Sequence, residues 1–348
     1  MSEDPAVIQG FRRQAFGCAA LGSPFSAGLL NQAADAPEVI APLIAPWSAA
    51  TLEAVNDAAV ALRFLGGLHD LVLSGEAPLL AVHYPTETQA GDATAAWAAA
   101  RDALAAHRDR LIAFMAHEPQ TNEVGRSGVL LGGFLELEAA FGLPLRLFEL
   151  GASAGLNQIW DRFHYHLGGG EWGSPSAVEL APEWRGGSPR LSETPRVTSR
   201  TACDRKPVDL ADPVQRRRLQ AYVWPDQLER LARLRAAIDL AMAAGVSVEA
   251  ADAAEWTRRI APEPGSTTVI YHSIFWQYLP AETQAALDAA IAAVGARAAS
   301  DAPVSWLRME PDGGNFAAIG LRLTTWPGGE ERHLARCHPH GSWVEWLA

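Results

Sequence analysis

The chain has 348 residues, with 28 Lys+Arg against 40 Asp+Glu, a formal net charge of −12 and 49% hydrophobic residues. That composition belongs to a folded globular protein of about two domains, or one large α/β domain with additions, and it excludes a largely disordered chain. The acidic balance argues against nucleic acid or an anionic membrane as partner, since both need clustered positive charge.

Lys206 is the one lysine; the other basic residues are arginine, and alanine tracts run over 93–106 and 285–299. Arginine abundance is therefore a compositional bias and does not by itself indicate phosphate binding. Cys18, Cys203 and Cys337 are odd in number and far apart, which excludes a disulfide framework or a zinc ribbon and fits a cytoplasmic protein. No stretch reaches the roughly 18 consecutive apolar residues of a membrane span. Arg12-Arg13 near the start suggests an export signal only superficially, because the apolar run that follows is short and breaks at Ser23-Pro24. An amphipathic first helix is the expectation.

In chain order, residues 1–118 are read as an N-terminal helical cap region. Apolar residues at helical spacing (Leu52, Val55, Ala59, Leu62, Leu65) predict a helix from Leu52 to Leu73, and Trp97 to Met115 predicts a second. Between them, Leu79 to Val82 reads as a strand stopped by Pro85. A helix is expected from about Asn122 to Phe141, ended by Gly142.

The core is expected over 119–348. Leu145 to Leu150 is almost wholly apolar, as a strand covered on both faces requires. Gly151 to Gly155 turns the chain, and Leu156, Ile159, Trp160, Phe163 and Leu167 predict a helix ending at Gly168. Residues from about 168 to 195 are rich in Gly, Pro, Ser and Trp and read as an insertion, with a short strand expected at Ala177 to Leu180. Arg196 to Cys203 is the next strand. Asp212-Pro213 gives an N-cap and an N1 proline to a helix that Pro225 interrupts and that resumes to Gly245. Val246 to Ala250, Thr267 to Tyr271 and Val304 to Leu307 predict further strands, with a helix from Ala281 to Val294. Phe316 to Trp326 and Glu331 to Cys337 close the chain as a hairpin around Pro327-Gly328-Gly329. Alternating β and α with a final hairpin predicts an open, mostly parallel α/β sheet.

The segment Glu149-Leu150-Gly151-Ala152-Ser153-Ala154-Gly155 has two readings. As a nucleotide-binding turn, its glycines let backbone approach a ligand while Glu149 offers a carboxylate at the strand end. As a hydrolase elbow, Gly151-x-Ser153-x-Gly155 matches G-x-S-x-G, with Asp301 or Asp312 and His338 or His340 completing a triad. Too few strands precede Leu145 for the elbow, and an oxyanion loop is missing upstream. The nucleotide reading gains from the strand ends that follow: Asp204, where an acid can accept both ribose hydroxyls; Asp252, where a side chain can meet an adenine amino group; and His272-Ser273 with Gln277-Tyr278 beyond.

These residues resemble a class I S-adenosylmethionine-dependent methyltransferase core over about the last 210 residues. The phrases QTNEVGRS, ELGASAGLN, WPDQ, YHSIFWQYLP and HPHGSWVEW also resemble an uncharacterised bacterial protein family of similar length. The first resemblance implies a Rossmann-like, methyltransferase-type open sheet with a terminal antiparallel hairpin. It implies S-adenosylmethionine as cofactor, with Glu149, Gly151 and Gly155 around its methionine part, Asp204 on the ribose, Asp252 on the adenine, and Ser153, Asn157, His272 and Ser273 as further cofactor-binding residues. Glu179 is a second candidate for the ribose acid.

His272 suits general-base work near neutral pH, and Tyr278 and Arg126 are the other catalytic candidates. His164-x-His166, read on a helix, does not share a face, and His338-Pro339-His340 lacks a partnering acid pair, so no metal site is expected. Trp172 and Trp184 in the insertion are candidates to line a pocket or interface. The expectation is a methyltransferase acting on a small molecule or peptide, with oligomeric state left open. The alternatives are a serine hydrolase using Ser153 and a non-catalytic Rossmann-like ligand-binding or interaction protein.

Overall fold

Proline and acidic caps start many of the helices that open the chain. A computed structural model describes residues 5–313 and 315–348, with side chains at 315–317 left aside. It divides into two units, Met1–Thr121 with Ala211–Arg235, and Asn122–Leu210 with Ala236–Ala348. The segment Ala211–Arg235 thus belongs with the N-terminal helices, although in sequence it lies within the stretch read as core.

The first unit is helical. Pro24, Pro37, Pro78 and Pro213 each open a helix at a position whose N–H would have no intrahelical acceptor. Asp92 accepts from Thr94 N and Ala95 N, and Asp212 accepts from Val214 N. The amphipathic first helix forms over Ala6–Ala20. The expected Leu52–Leu73 helix is two, Leu52–Asp57 and Val60–Leu73, broken where Ala59 turns left-handed at φ 50°. Trp97 to Met115 likewise divides into Ala93–Ala106 and Arg108–Met115 at His107. The strand expected at Leu79–Val82 is instead the single-turn helix Pro78–Ala81, because Pro78 presets a helical start for a run too short to reveal a period. Phe11, Leu29, Leu30, Phe64 and Leu68 are fully enclosed in this unit's core.

The second unit is a mixed α/β structure built on a nine-stranded, mostly parallel sheet. In chain order its strands are β1 (Leu145–Leu150), β2 (His164–Leu167), β3 (Gly170–Trp172), β4 (Glu179–Leu180), β5 (Glu183–Gly186), β6 (Val197–Asp204), β7 (Glu249–Ala250), β8 (Thr267–Ser273), β9 (Val304–Asp312), β10 (Asn315–Trp326), β11 (Glu330–Cys337) and β12 (Trp343–Trp346). The sheet order is β5-β12-β11-β10-β9-β8-β1-β6-β7. Strands β7, β6, β1, β8 and β9 are mutually parallel, and β9 to β12 run as an antiparallel meander. The expected hairpin is therefore present and is extended on both sides. The chain moves outward from β1 through β6 to β7, then returns across β1 to β8 and β9.

One face of this sheet packs Phe148, Leu150 and Ile270 against Trp256 and against Leu287 and Ile291 of the helix Ala281–Gly295. The helix Ser127–Phe141 is buried along its first eleven residues, Ser127 to Leu137, and its Phe134 stacks on Trp160 with ring centroids 4.2 Å apart. Gly132 and Gly133 are needed there because a Cβ at either would fall inside the Trp346 or Leu307 side chain. The helix starts later than expected, after a 3₁₀ turn at Val124–Arg126, and Gly142 ends it in the left-handed region at φ 59°.

The helix predicted from Leu156 to Leu167 does not form. A 3₁₀ turn spans Leu156–Arg162, and the chain then becomes strand β2. Phe163, Tyr165 and Leu167 are buried, alternating with the less buried His164 and His166, so a period of two wins over a period of 3.6 at this end of the segment. The insertion is structured as well: β2, β3 and β4 make a separate three-stranded sheet, and β5 joins the main sheet beside β12. Among the described residues no helix is long and apolar enough to cross a membrane.

Candidate functional site

The segment after β1 concentrates left-handed backbone conformations. Gly151, Ser153 and Gly155 all lie in the left-handed region, at φ 62°, 54° and 75°. That conformation costs a residue with a Cβ about 1–2 kcal/mol, so Ser153 is held there by its surroundings. Its N–H donates to Asp204 Oδ2 at 2.9 Å, and its carbonyl accepts from Val208 N at 3.1 Å. Ala152 N donates to Cys203 O at 3.1 Å. The loop is thus laced to the end of the neighbouring strand β6. The Ser153 hydroxyl is buried without a hydrogen-bond partner.

Both glycines answer to packing. A Cβ at Gly151 would collide with the Phe275 ring, and one at Gly155 would meet Val246 at 2.8 Å and Val248 at 2.9 Å. Phe275 belongs to the loop after β8, where Ile274 is also left-handed, at φ 49°. A β-branched residue in that region is a strained backbone position. Two left-handed residues that carry a Cβ, Ser153 and Ile274, therefore follow adjacent parallel strands, β1 and β8.

Glu149 sits one residue before the end of β1, paired in register with Ala202 and Tyr271, and is buried. Burial is the main cause that pushes its carboxyl up to about 8; the Tyr271 hydroxyl, donating at 3.4 Å, opposes this, Asp204 adds to it and Arg126 opposes it. A protonated carboxyl at neutral pH is a hydrogen-bond donor as well as an acceptor.

Asp204 ends β6 and accepts from Ser153 N and, through Oδ1, from Lys206 N at 2.8 Å. An ionised carboxylate has about four acceptor positions, so two remain. Asp252 follows β7 and is exposed; its Oδ1 accepts from Ala254 N at 2.9 Å and Glu255 N at 3.0 Å, capping the helix Ala253–Arg258. Glu179 lies on β4 in the small sheet, paired with His164, whereas Asp204 ends the strand beside β1. Of the two candidates for the ribose acid, only Asp204 lies next to the loop.

His272 is fully enclosed. Its Nε2 accepts from the Trp306 indole N–H at 3.0 Å, and since an indole nitrogen only donates, Nδ1 carries the ring proton and donates to Glu310 Oε1 at 2.6 Å. Both ring nitrogens of His272, the residue expected to be a general base, are therefore engaged in joining β8 to β9. Glu310 also accepts from Phe275 N at 2.9 Å and so anchors the strained loop.

Arg126 donates from Nε to Pro339 O and from Nη1 to Ser273 O, both at 3.0 Å, holding the turn before β12 to the end of β8. Ser273 enters through that carbonyl. Tyr278 is 71% exposed in a 3₁₀ turn beyond the loop. Asn157 is buried, accepting from the Ser127 hydroxyl at 2.7 Å, while Asn122 Oδ1 accepts from Leu156 N at 2.9 Å. These bonds fasten the QTNEVGRS segment to the glycine loop. Thus Glu149, Ser153 and Asp204 are brought together, Asp252 lies beyond the next strand, and His272, Asn157 and Arg126 act as braces.

The proposed triad is not assembled: the Ser153 hydroxyl meets no histidine, Asp312 is paired with Arg322, and Asp301 precedes β9, at the opposite end of the parallel strands from Ser153. Sequence reasoning missed Phe275, Ile274 and Glu310. The one available signal was proximity to His272, since nothing local announces a left-handed isoleucine.

The family described as "Uncharacterized protein conserved in bacteria (DUF2332)" matches residues 9–346, and the chain belongs to it. The resemblance of its QTNEVGRS to HPHGSWVEW phrases to an uncharacterised bacterial family is borne out by this match. No curated protein and no solved structure matches the chain.

Proposed function

We propose that this family member binds an adenosyl ligand, S-adenosylmethionine foremost, and serves as a methyltransferase-type enzyme for a small-molecule or peptide acceptor. The observation that carries the reading is the placement of Asp204 and Asp252, each with acceptor capacity to spare, after the adjacent parallel strands β6 and β7. The order β7-β6-β1-β8-β9 supports it, because the order in which strands are added reverses between β1 and β8, and open α/β sheets of Rossmann type bind ligands outside the carboxyl ends of strands at such a point.

The donor set suits the adenosine half: two carboxylates for hydroxyl and amino hydrogens. The methionine half meets a different situation. No glycine cradle stands open there, because Phe275 fills the space beside Gly151. Full-length S-adenosylmethionine therefore has to displace Phe275, and adenosine does not.

Calorimetry with S-adenosylmethionine, its demethylated product and adenosine tests this. Binding of all three is expected, weakened at least tenfold by Asp204→Ala, with Phe275→Ala strengthening the two amino-acid-bearing ligands and leaving adenosine unchanged. Absence of binding by any of the three at millimolar concentration defeats the proposal.

A further inference from the structure

The small sheet carries chemistry that the adenosyl reading does not use. Strand β2 alternates, so Tyr165 and Leu167 are buried while His164 and His166 share the opposite face. Gly168 and Gly169, at φ 57° and 86°, close a two-residue hairpin into β3, a turn that needs positive φ at both positions. The hairpin register places Glu171 directly across from His166. Backbone pairing thus brings two imidazoles and a carboxylate to one spot.

The donor atoms converge. His166 Nδ1 lies 3.4 Å from Glu171 Oε1, and His164 Nε2 lies 3.9 Å from Glu171 Oε2. The ligand atoms of all three residues lie within 4.8 Å of one another. Bonds of 2.0–2.1 Å in a tetrahedral zinc site separate neighbouring donors by about 3.3 Å. The remaining adjustment is small, and His166 and Glu171, with side chains 42% and 68% exposed, are free to make it by rotation.

His164 Nδ1 lies 3.2 Å from the Gly173 carbonyl, the outer hydrogen bond that metal-bound histidines usually make. Donating its proton there, His164 presents the Nε2 lone pair on the side of Glu171. His166 and Glu171 also line a cleft of about 600 Å³ with Pro182, Trp184 and Gly186.

We propose that His164, His166 and Glu171 bind a divalent transition-metal ion of the zinc class, leaving one coordination position for water or an exogenous ligand in the Trp184 cleft. Two imidazoles select such ions over magnesium or calcium, which take oxygen ligands. Three protein ligands with an open fourth position are the arrangement of a reactive site, whereas structural zinc is closed by four.

The test uses the full chain without an affinity tag, stripped with chelator. Cobalt(II) is expected to bind at one equivalent with the visible absorption of a four-coordinate site, and zinc to displace it. His166→Ala abolishes the band and Glu171→Gln weakens binding at least tenfold; both side chains are exposed enough that circular dichroism should show an unchanged fold. His338→Ala, at the other His-x-His pair, leaves binding intact. Three results overturn the proposal: no cobalt or zinc retained, which makes the cluster an ordinary surface ion pair; binding indifferent to His166→Ala and Glu171→Gln; or binding lost with His338→Ala.

Discussion

Replacing Glu149 with glutamine should remove a pH dependence of stability that the buried carboxyl imposes. Its pKa rises from the ordinary 4.5 to about 8, chiefly through burial. Between those values the unfolded chain has lost the proton and the folded chain keeps it, so stability falls as pH rises across the window, by about 1.4 kcal/mol per pH unit. Well above pH 8 the accumulated cost is on the order of 5 kcal/mol. Glutamine keeps the acceptor that Tyr271 donates to and cannot ionise, though its amide hydrogens need partners, at about 1 kcal/mol. Glu149→Gln is therefore slightly less stable than the parent near pH 5 and several kcal/mol more stable near pH 8, the curves crossing between. Urea titrations across that range, with hydrogen exchange of β1 and β8 amides to follow the second unit separately, measure the difference. Parallel curves for parent and variant would refute the reasoning, because they require the carboxyl to titrate alike in folded and unfolded chains.

Gly151→Ala should cost about 2–5 kcal/mol, from left-handed strain plus the clash with Phe275, and Phe275→Ala in the same chain should return about 1–3 of it; a double-mutant cycle with no coupling contradicts the packing role of that glycine. Asp252→Ala should lower stability by about 1 kcal/mol through loss of the helix cap, and Asp252→Asn should recover it in the same denaturation assay. In the first unit, burial holds the His69 imidazole down at about 4, with Nδ1 at 3.0 Å from Val223 O and 3.2 Å from Ala221 O. Between pH 6.5 and 4 the unfolded chain binds the proton more readily, so stability is lost as pH falls through that window, by up to about 3 kcal/mol. Near-ultraviolet dichroism of His69→Asn against the parent should show the acid transition shifted to lower pH.

The elements readable from sequence are those whose cause is local. Strand β1 was legible because a run buried on both faces is apolar throughout, and the helix start at Asp212-Pro213 because cap and N1 proline are adjacent in sequence. The same holds for the turn around Pro327-Gly328-Gly329 between β10 and β11, and for the acid ending β6. Local signals failed where two periods fitted one segment. Leu156 to Leu167 satisfies helical spacing, but pairing with β3 and β4 stabilises a strand at its end, and that choice moved His164 and His166 onto a shared face.

Composition by itself determined that the chain folds and is acidic, and the order of its residues determined an α/β sheet whose first strand ends in a glycine-rich loop. Tertiary structure alone decided what each candidate touches. Gly151 is small because Phe275 lies against it, His272 is engaged because Trp306 and Glu310 come from the next strand, and Arg126 holds carbonyls at 273 and 339. Burial and hydrogen-bond partners are set by residues distant in sequence, and those partners fix whether a carboxylate or imidazole keeps capacity for a ligand.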